Sequence, residues 1–160
     1  MAIKVGDRVP NGTFMVMSSD GPKPKTTDEL FKGKKVVLFA VPGAFTPTCH
    51  RNHLPGFVKS AAAIKTKGVD TIAVTGVNDV FVMDAWKKAS SGDAIEFLAD
   101  GSAAWAKALG LTVDLTERGL GVRSQRYAMV VDDGVVKTLN IEDAPGKAEI
   151  SGADNLLKGL

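Results

Sequence analysis

The chain has 160 residues, 44% hydrophobic and 24% charged, which is ordinary for a globular protein and enough to bury a core without disulfides or metal. Its net charge of +2 is too small to argue for a nucleic-acid partner. One cysteine excludes an internal disulfide and favours a reducing compartment.

The opening, MAIKVGDRVPNG, has no apolar segment of the secretory kind, and no apolar run approaches a membrane span. A cytoplasmic location is therefore expected, with organelle import left open. No repeat or long linker divides the chain, so residues 1–160 are expected to form one domain. Residues 1–35 are rich in Gly, Pro and Lys and read as an N-terminal β-hairpin and loops. The densest lysine group, Lys23, Lys25, Lys32, Lys34 and Lys35, falls there and reads as solvated surface.

Val36–Ala40 is a continuous apolar run, which suits a strand buried on both faces. A loop with Pro42, Gly43 and Pro47 follows. Leu54, Phe57, Val58, Ala61 and Ala62 then form a helical stripe that ends near Gly68. Pro55 lies inside it and removes a backbone donor, so a turn around Cys49, a kink and a longer second part are expected. Thr71–Thr75 reads as a second buried strand. Asn78 or Asp79 caps a helix through about Ala89. Ile95–Leu98 is a short strand, and Asp100 or Ser102 caps a helix through Leu109. Arg126–Val131 and Val135–Asn140 flank Asp132-Asp133-Gly134, a hairpin signal. Asp154–Lys158 reads as a last helical turn or two. This order predicts an α/β protein with a mixed central sheet flanked by helices. It fits a thioredoxin-like layout, though pattern alone leaves other α/β folds open.

Cys49 follows a strand and a loop, at the start of a helix. Reactive groups of open α/β sheets gather beyond the carboxyl ends of strands, and helix N-termini favour a thiolate. The bland alternative is a small buried hydrophobe. Met15, Met17, Met83 and Met129 fall in apolar patterns and are expected in the core, and Trp86 and Trp105 on helices as packing residues.

The string Val41-Pro-Gly-Ala-Phe-Thr-Pro-Thr-Cys49 contains P-x3-T-x2-C and closely resembles the active-site loop of peroxiredoxins. His53–Phe57, Gly76–Trp86, Phe97–Ser102 and Arg126–Val136 also resemble the atypical type II, peroxiredoxin-five-like subfamily, in the same order. The resemblance covers nearly the whole chain and implies a thioredoxin-like fold, thiol-dependent peroxidase activity and a homodimer whose contact uses aromatics such as Phe45 and Phe81. It implies a peroxidatic Cys49, with Thr46 holding the peroxide and Pro42 shielding the sulfur. Backbone N–H groups of Thr48 and Cys49 would bind substrate oxygen. An arginine enters a late strand in this family; Arg126 matches it by spacing, and Arg123 is the nearby rival. No cofactor or metal is called for.

Positions where relatives carry a resolving cysteine fall on Val74 and near Ile150. The resemblance therefore implies a one-cysteine cycle completed by an outside thiol, with glutathione or glutaredoxin favoured over thioredoxin. Other readings stay open beside it. Cys49 and His53, at i and i+4, could form a hydrolase pair. Cys49, His50 and His53 could hold zinc. The fold could also serve as a peroxide sensor or interaction protein. For both histidines a surface or hydrogen-bonded role is preferred. Cys49 is expected to lie at a helix start and outside the core.

Overall fold

The computed structural model describes residues 2–144 and 146–160. Its main sheet has seven strands in the order β2-β1-β5-β4-β3-β8-β9. Here β1 is Thr13–Ser18, β2 Gly21–Thr26, β3 Lys35–Val41, β4 Thr71–Gly76 and β5 Glu96–Ala99. The closing strands are β8, Tyr127–Asp132, and β9, Val135–Ile141. The strands β3, β4 and β5, joined by helices, run parallel, whereas β8 and β9 close the sheet as an antiparallel hairpin. The N-terminal hairpin β1–β2 extends the other edge, with Met15 paired antiparallel to Ala99. This is the mixed sheet that the order of elements predicts, in the thioredoxin-like arrangement that the resemblance implies.

Both faces of the sheet are covered, which is why β3 is apolar at consecutive positions. Val37, Phe39 and Val41 face α2 (Leu54–Thr66), α3 (Val80–Ala89) and α5 (Ala153–Lys158), where Phe57, Ile64, Met83, Trp86 and Leu156 complete the layer. Val36, Leu38 and Ala40 face the opposite layer, built with Phe31 of α1 (Thr27–Phe31) and with Trp105 and Leu109 of α4 (Ala104–Leu109). Among the described residues, no helix is long and apolar enough to cross a membrane.

Several expectations need correction. Residues 1–35 contain α1, closed by a capping box in which Thr26 and Glu29 bond each other's backbone N–H. The T-x-x-E spacing is the signal for it. Residues 112–124 form a second two-stranded sheet, β6 (Thr112–Leu115) with β7 (Gly121–Ser124), around a short 3-10 turn. The N-cap of α4 is Ala103 in a left-handed conformation, neither Asp100 nor Ser102. Asp100 still serves the helix start, because its carboxylate accepts from the Trp105 and Ala106 amides. Met15 is 37% exposed, because Phe14 and Val16 take the inward positions of β1 and strand alternation turns Met15 away.

Candidate active site

The loop after β3 carries Pro42, Thr46 and Cys49 past the carboxyl end of the central strand. Pro42 and Gly43 are buried. A Cβ at Gly43 would stand 3.0 Å from the Thr46 methyl and 3.2 Å from an Arg123 nitrogen, so the loop packs against both only because glycine is there. Phe45 has a φ of 63°, unusual for a residue with a side chain. The Ala44 amide donates to Asn78 at 2.8 Å, tying the loop to the start of α3.

A helical turn opens at Pro47, and its first i to i−4 bond runs from the His50 amide to the Thr46 carbonyl. The Thr48 and Cys49 amides precede that bond, where a helix has no carbonyl to offer them. Cys49–His53 is a π-helical turn, and the Leu54 amide closes onto the Cys49 carbonyl. The wider turn is the form taken by the expected irregularity at Pro55: the ring has no N–H to continue the α register.

Cys49 has no exposed surface and belongs to the apolar layer beneath α2. The expectation of a site outside the core is therefore corrected. Cys49 is one of two buried residues of the π turn, with His53. Arg126, immediately before β8, is also buried, at 3% exposure, and its Nη2–H donates to Cys49 Sγ at 2.9 Å. Arg123 reaches instead for the loop backbone, donating to the Leu120 carbonyl at 2.8 Å and the Pro42 carbonyl at 3.4 Å. The Thr46 hydroxyl donates to the Gly43 carbonyl at 2.7 Å, and Thr48 donates from its hydroxyl to the Gly146 carbonyl at 2.9 Å. Among the described hydrogen bonds, none joins Thr46 to Cys49.

Sequence reasoning left His53 as a surface or hydrogen-bonded histidine. It is 1% exposed, and its Nδ1 lies 3.0 Å from Arg126 Nη1 while Nε2 lies 2.9 Å from the Ser151 carbonyl. Burial, then the Arg126 charge, lowers its pKa to about 3, against opposing pulls from the Ser151 carbonyl and Glu142. His50 accepts from the Trp86 indole at 3.0 Å. The His53 nitrogens are thus engaged with Arg126 and Ser151, which argues against both the hydrolase pair and the zinc reading. Behind this group, Glu142 accepts from the Ser151 amide and hydroxyl, each at 2.6 Å. The Glu142 amide donates to the Arg126 carbonyl at 2.9 Å. No signal within the sequence itself joins residues 53, 126, 142 and 151.

The redoxin family pattern matches residues 4–157. The chain is 51% identical to Peroxiredoxin-2E-2, chloroplastic, of Oryza sativa, over 99% of this chain and 72% of that protein. It is similar to the crystal structure of reduced Prx3 from Vibrio vulnificus in complex with hydrogen peroxide, with a TM-score of 0.94 and 52% identity over 98% of each chain. Peroxiredoxin 5 from Alvinella pompejana superposes with a TM-score of 0.84 at 33% identity, over 98% of this chain and 96% of that one.

Proposed function

The chain belongs to the redoxin family, as a peroxiredoxin of the peroxiredoxin-five-like kind with a single cysteine, and from that membership we propose that Cys49 is its peroxidatic thiol. The observation that carries this reading is the 2.9 Å contact between the buried Arg126 guanidinium and the buried Cys49 sulfur. A guanidinium stays charged and offers a planar fork of donors, so Arg126 stabilises negative charge on sulfur and on the peroxide together.

In the first half-reaction the thiolate attacks one oxygen of a hydroperoxide. The S–O bond forms as the O–O bond breaks, a proton passes to the leaving oxygen, and Cys49 sulfenic acid and water or an alcohol result. Thr46 holds the attacked peroxide with a hydroxyl that both donates and accepts; for this it gives up or shares its bond to Gly43. The Thr48 and Cys49 amides hold peroxide oxygen as charge develops, a role that suits their place in the first helical turn. Pro42 shields the sulfur from water. Hydrogen peroxide and organic hydroperoxides are the substrates of this reading. The peroxide named in the Vibrio vulnificus structure supports the first.

In the second half-reaction an outside thiol attacks the sulfenic sulfur, water leaves, and a mixed disulfide forms. A second thiol then frees Cys49. The lone cysteine supports this external cycle. Val74, on β4 beside Phe39 and Phe97, is buried in the same apolar layer as Cys49, and Ile150 is exposed. Neither offers a sulfur. Glutathione or glutaredoxin is the favoured reductant and thioredoxin the second. The working form is a homodimer in a reducing compartment, cytoplasm or organelle, serving antioxidant defence and redox homeostasis. The test is a peroxide-consumption assay in which each of the three reductants in turn is the only electron source. The wild type consumes peroxide with glutathione or glutaredoxin, and Cys49→Ser does not. Substantial turnover by the folded Cys49→Ser protein would sink the assignment, and turnover with thioredoxin alone would reverse the choice of reductant.

A further inference from the structure

His53 is a polar ring in an apolar layer. Its ring lies 5.0 Å from that of Phe39 and 5.5 Å from that of Phe57, which are themselves stacked at 4.0 Å. Burying an imidazole there is costly unless its nitrogens are matched. The two partners decide its tautomer. A carbonyl oxygen only accepts, so Nε2 carries the proton and donates to Ser151. A guanidinium nitrogen only donates, so Nδ1 presents a lone pair to Arg126 Nη1. A charged imidazolium would set two donors against each other at that contact.

The guanidinium is planar, so fixing one terminal nitrogen fixes the direction of the other. Nη1 is held by His53 and Nη2 meets Cys49 Sγ at 2.9 Å. The anchor of the ring is itself anchored. Ser151 has no exposed surface, and its amide and hydroxyl both donate to Glu142. Glu142 stands across the β8–β9 hairpin from Arg126, one step beyond the Tyr127–Ile141 pair, and its amide donates to the Arg126 carbonyl. Among the described residues, the charges that act on His53 are Arg126 from the start of β8 and Glu142 from the end of β9.

We propose that His53 is a positioning residue for the reactive sulfur: by accepting from Arg126 Nη1 as the Nε2–H tautomer locked by Ser151, it aims Nη2 at Cys49. The proposal deepens the reading of Cys49 as the reactive thiol and rests on it. It separates His53 from a mere filler of the space between Phe39 and Phe57, because a filler needs no lone pair.

The experiment measures the rate of Cys49 alkylation by iodoacetamide against pH in the wild type, His53→Asn and His53→Leu. The asparagine oxygen can stand where Nδ1 stands, whereas leucine fills the space without an acceptor. In His53→Leu the midpoint of the profile moves up by about one pH unit, and at a pH below both midpoints alkylation slows roughly tenfold, the factor that one unit represents. In His53→Asn the midpoint stays with the wild type. An unmoved midpoint in folded His53→Leu overturns the proposal, and so does an equal shift in both variants. A second measurement covers a leucine variant that fails to fold: nitrogen-15 shifts of the wild-type imidazoles, assigned with His53→Asn. These are expected to show Nε2 protonated and Nδ1 bare, and the opposite tautomer overturns the proposal. Alkylation needs no peroxide, so a failed peroxidase assignment and a failed positioning role give different results.

Discussion

Burial holds the His53 imidazole down to about 3, with the Arg126 charge second and the Ser151 carbonyl and Glu142 in opposition. In the unfolded chain it titrates near its ordinary value, about 6.5. Between the two values the unfolded chain takes up a proton that the folded chain refuses. Its contribution to stability is therefore whole above about 6.5 and is lost as pH falls toward 3, at about 1.4 kcal/mol per pH unit for one proton. Glu142 acts at lower pH. Burial pushes its carboxyl up, but the Ser151 hydroxyl and amide and the Ile150 amide together hold it below its ordinary value, so its share is lost only in stronger acid. Urea unfolding at pH 7 and pH 5 tests the first window: the wild type loses stability over that interval, and His53→Asn loses less. Equal losses would show that His53 is not the group responsible. The meeting of Arg126 with Cys49 was legible in the sequence, because a compact string and one spacing carry the pair. The contact of His53 with Arg126 was not, because no motif or spacing links two residues 73 positions apart.

The helix α3 illustrates what local sequence does decide. Asp79 caps it, accepting from the Val82 amide at 2.8 Å, and the helix carries Met83 and Trp86 into the layer around Cys49. Asp79→Ala removes the acceptor and leaves an amide of the first turn unpaired. The expected loss is about 1 kcal/mol of unfolding free energy by urea titration; none would mean that water replaces the cap without cost. Strands β3, β4 and β8 were legible for the related reason that burial on both faces writes itself as consecutive apolar residues. The pair β6–β7 was not: Val113 and Val122 are its only β-branched aliphatic residues, and much of its length is exposed or half-buried. The start of α4 was misplaced because Asp100 reaches forward to Trp105 and Ala106 across a left-handed Ala103, a geometry that no cap spacing encodes. The π turn at Cys49–His53 was foreseen only as an irregularity, since Pro55 says that a donor is missing and not how the chain makes up for it.

At the scale of the molecule, Phe81 is 65% exposed at the first turn of α3, and Phe45 is 46% exposed on the loop that Asn78 ties to the same end of that helix. Two exposed rings on these elements suit the homodimer proposed above. Phe81→Asp places a charge where a second copy would bury a ring, so sedimentation is expected to show its mass halved relative to the wild type. An unchanged mass would remove Phe81 from the contact. The enclosure of Cys49 bears on the whole molecule in another way. A mixed disulfide brings two sulfurs to about 2.05 Å with an entire second molecule behind one of them, and a sulfur without exposed surface offers no approach for that. In the external-thiol cycle proposed above, part of the packing that holds the run Cys49–Thr66 is therefore surrendered at the mixed-disulfide step. An engineer who hardens this helix start against heat works against throughput: as melting temperature is raised there, the rate of mixed-disulfide formation should fall.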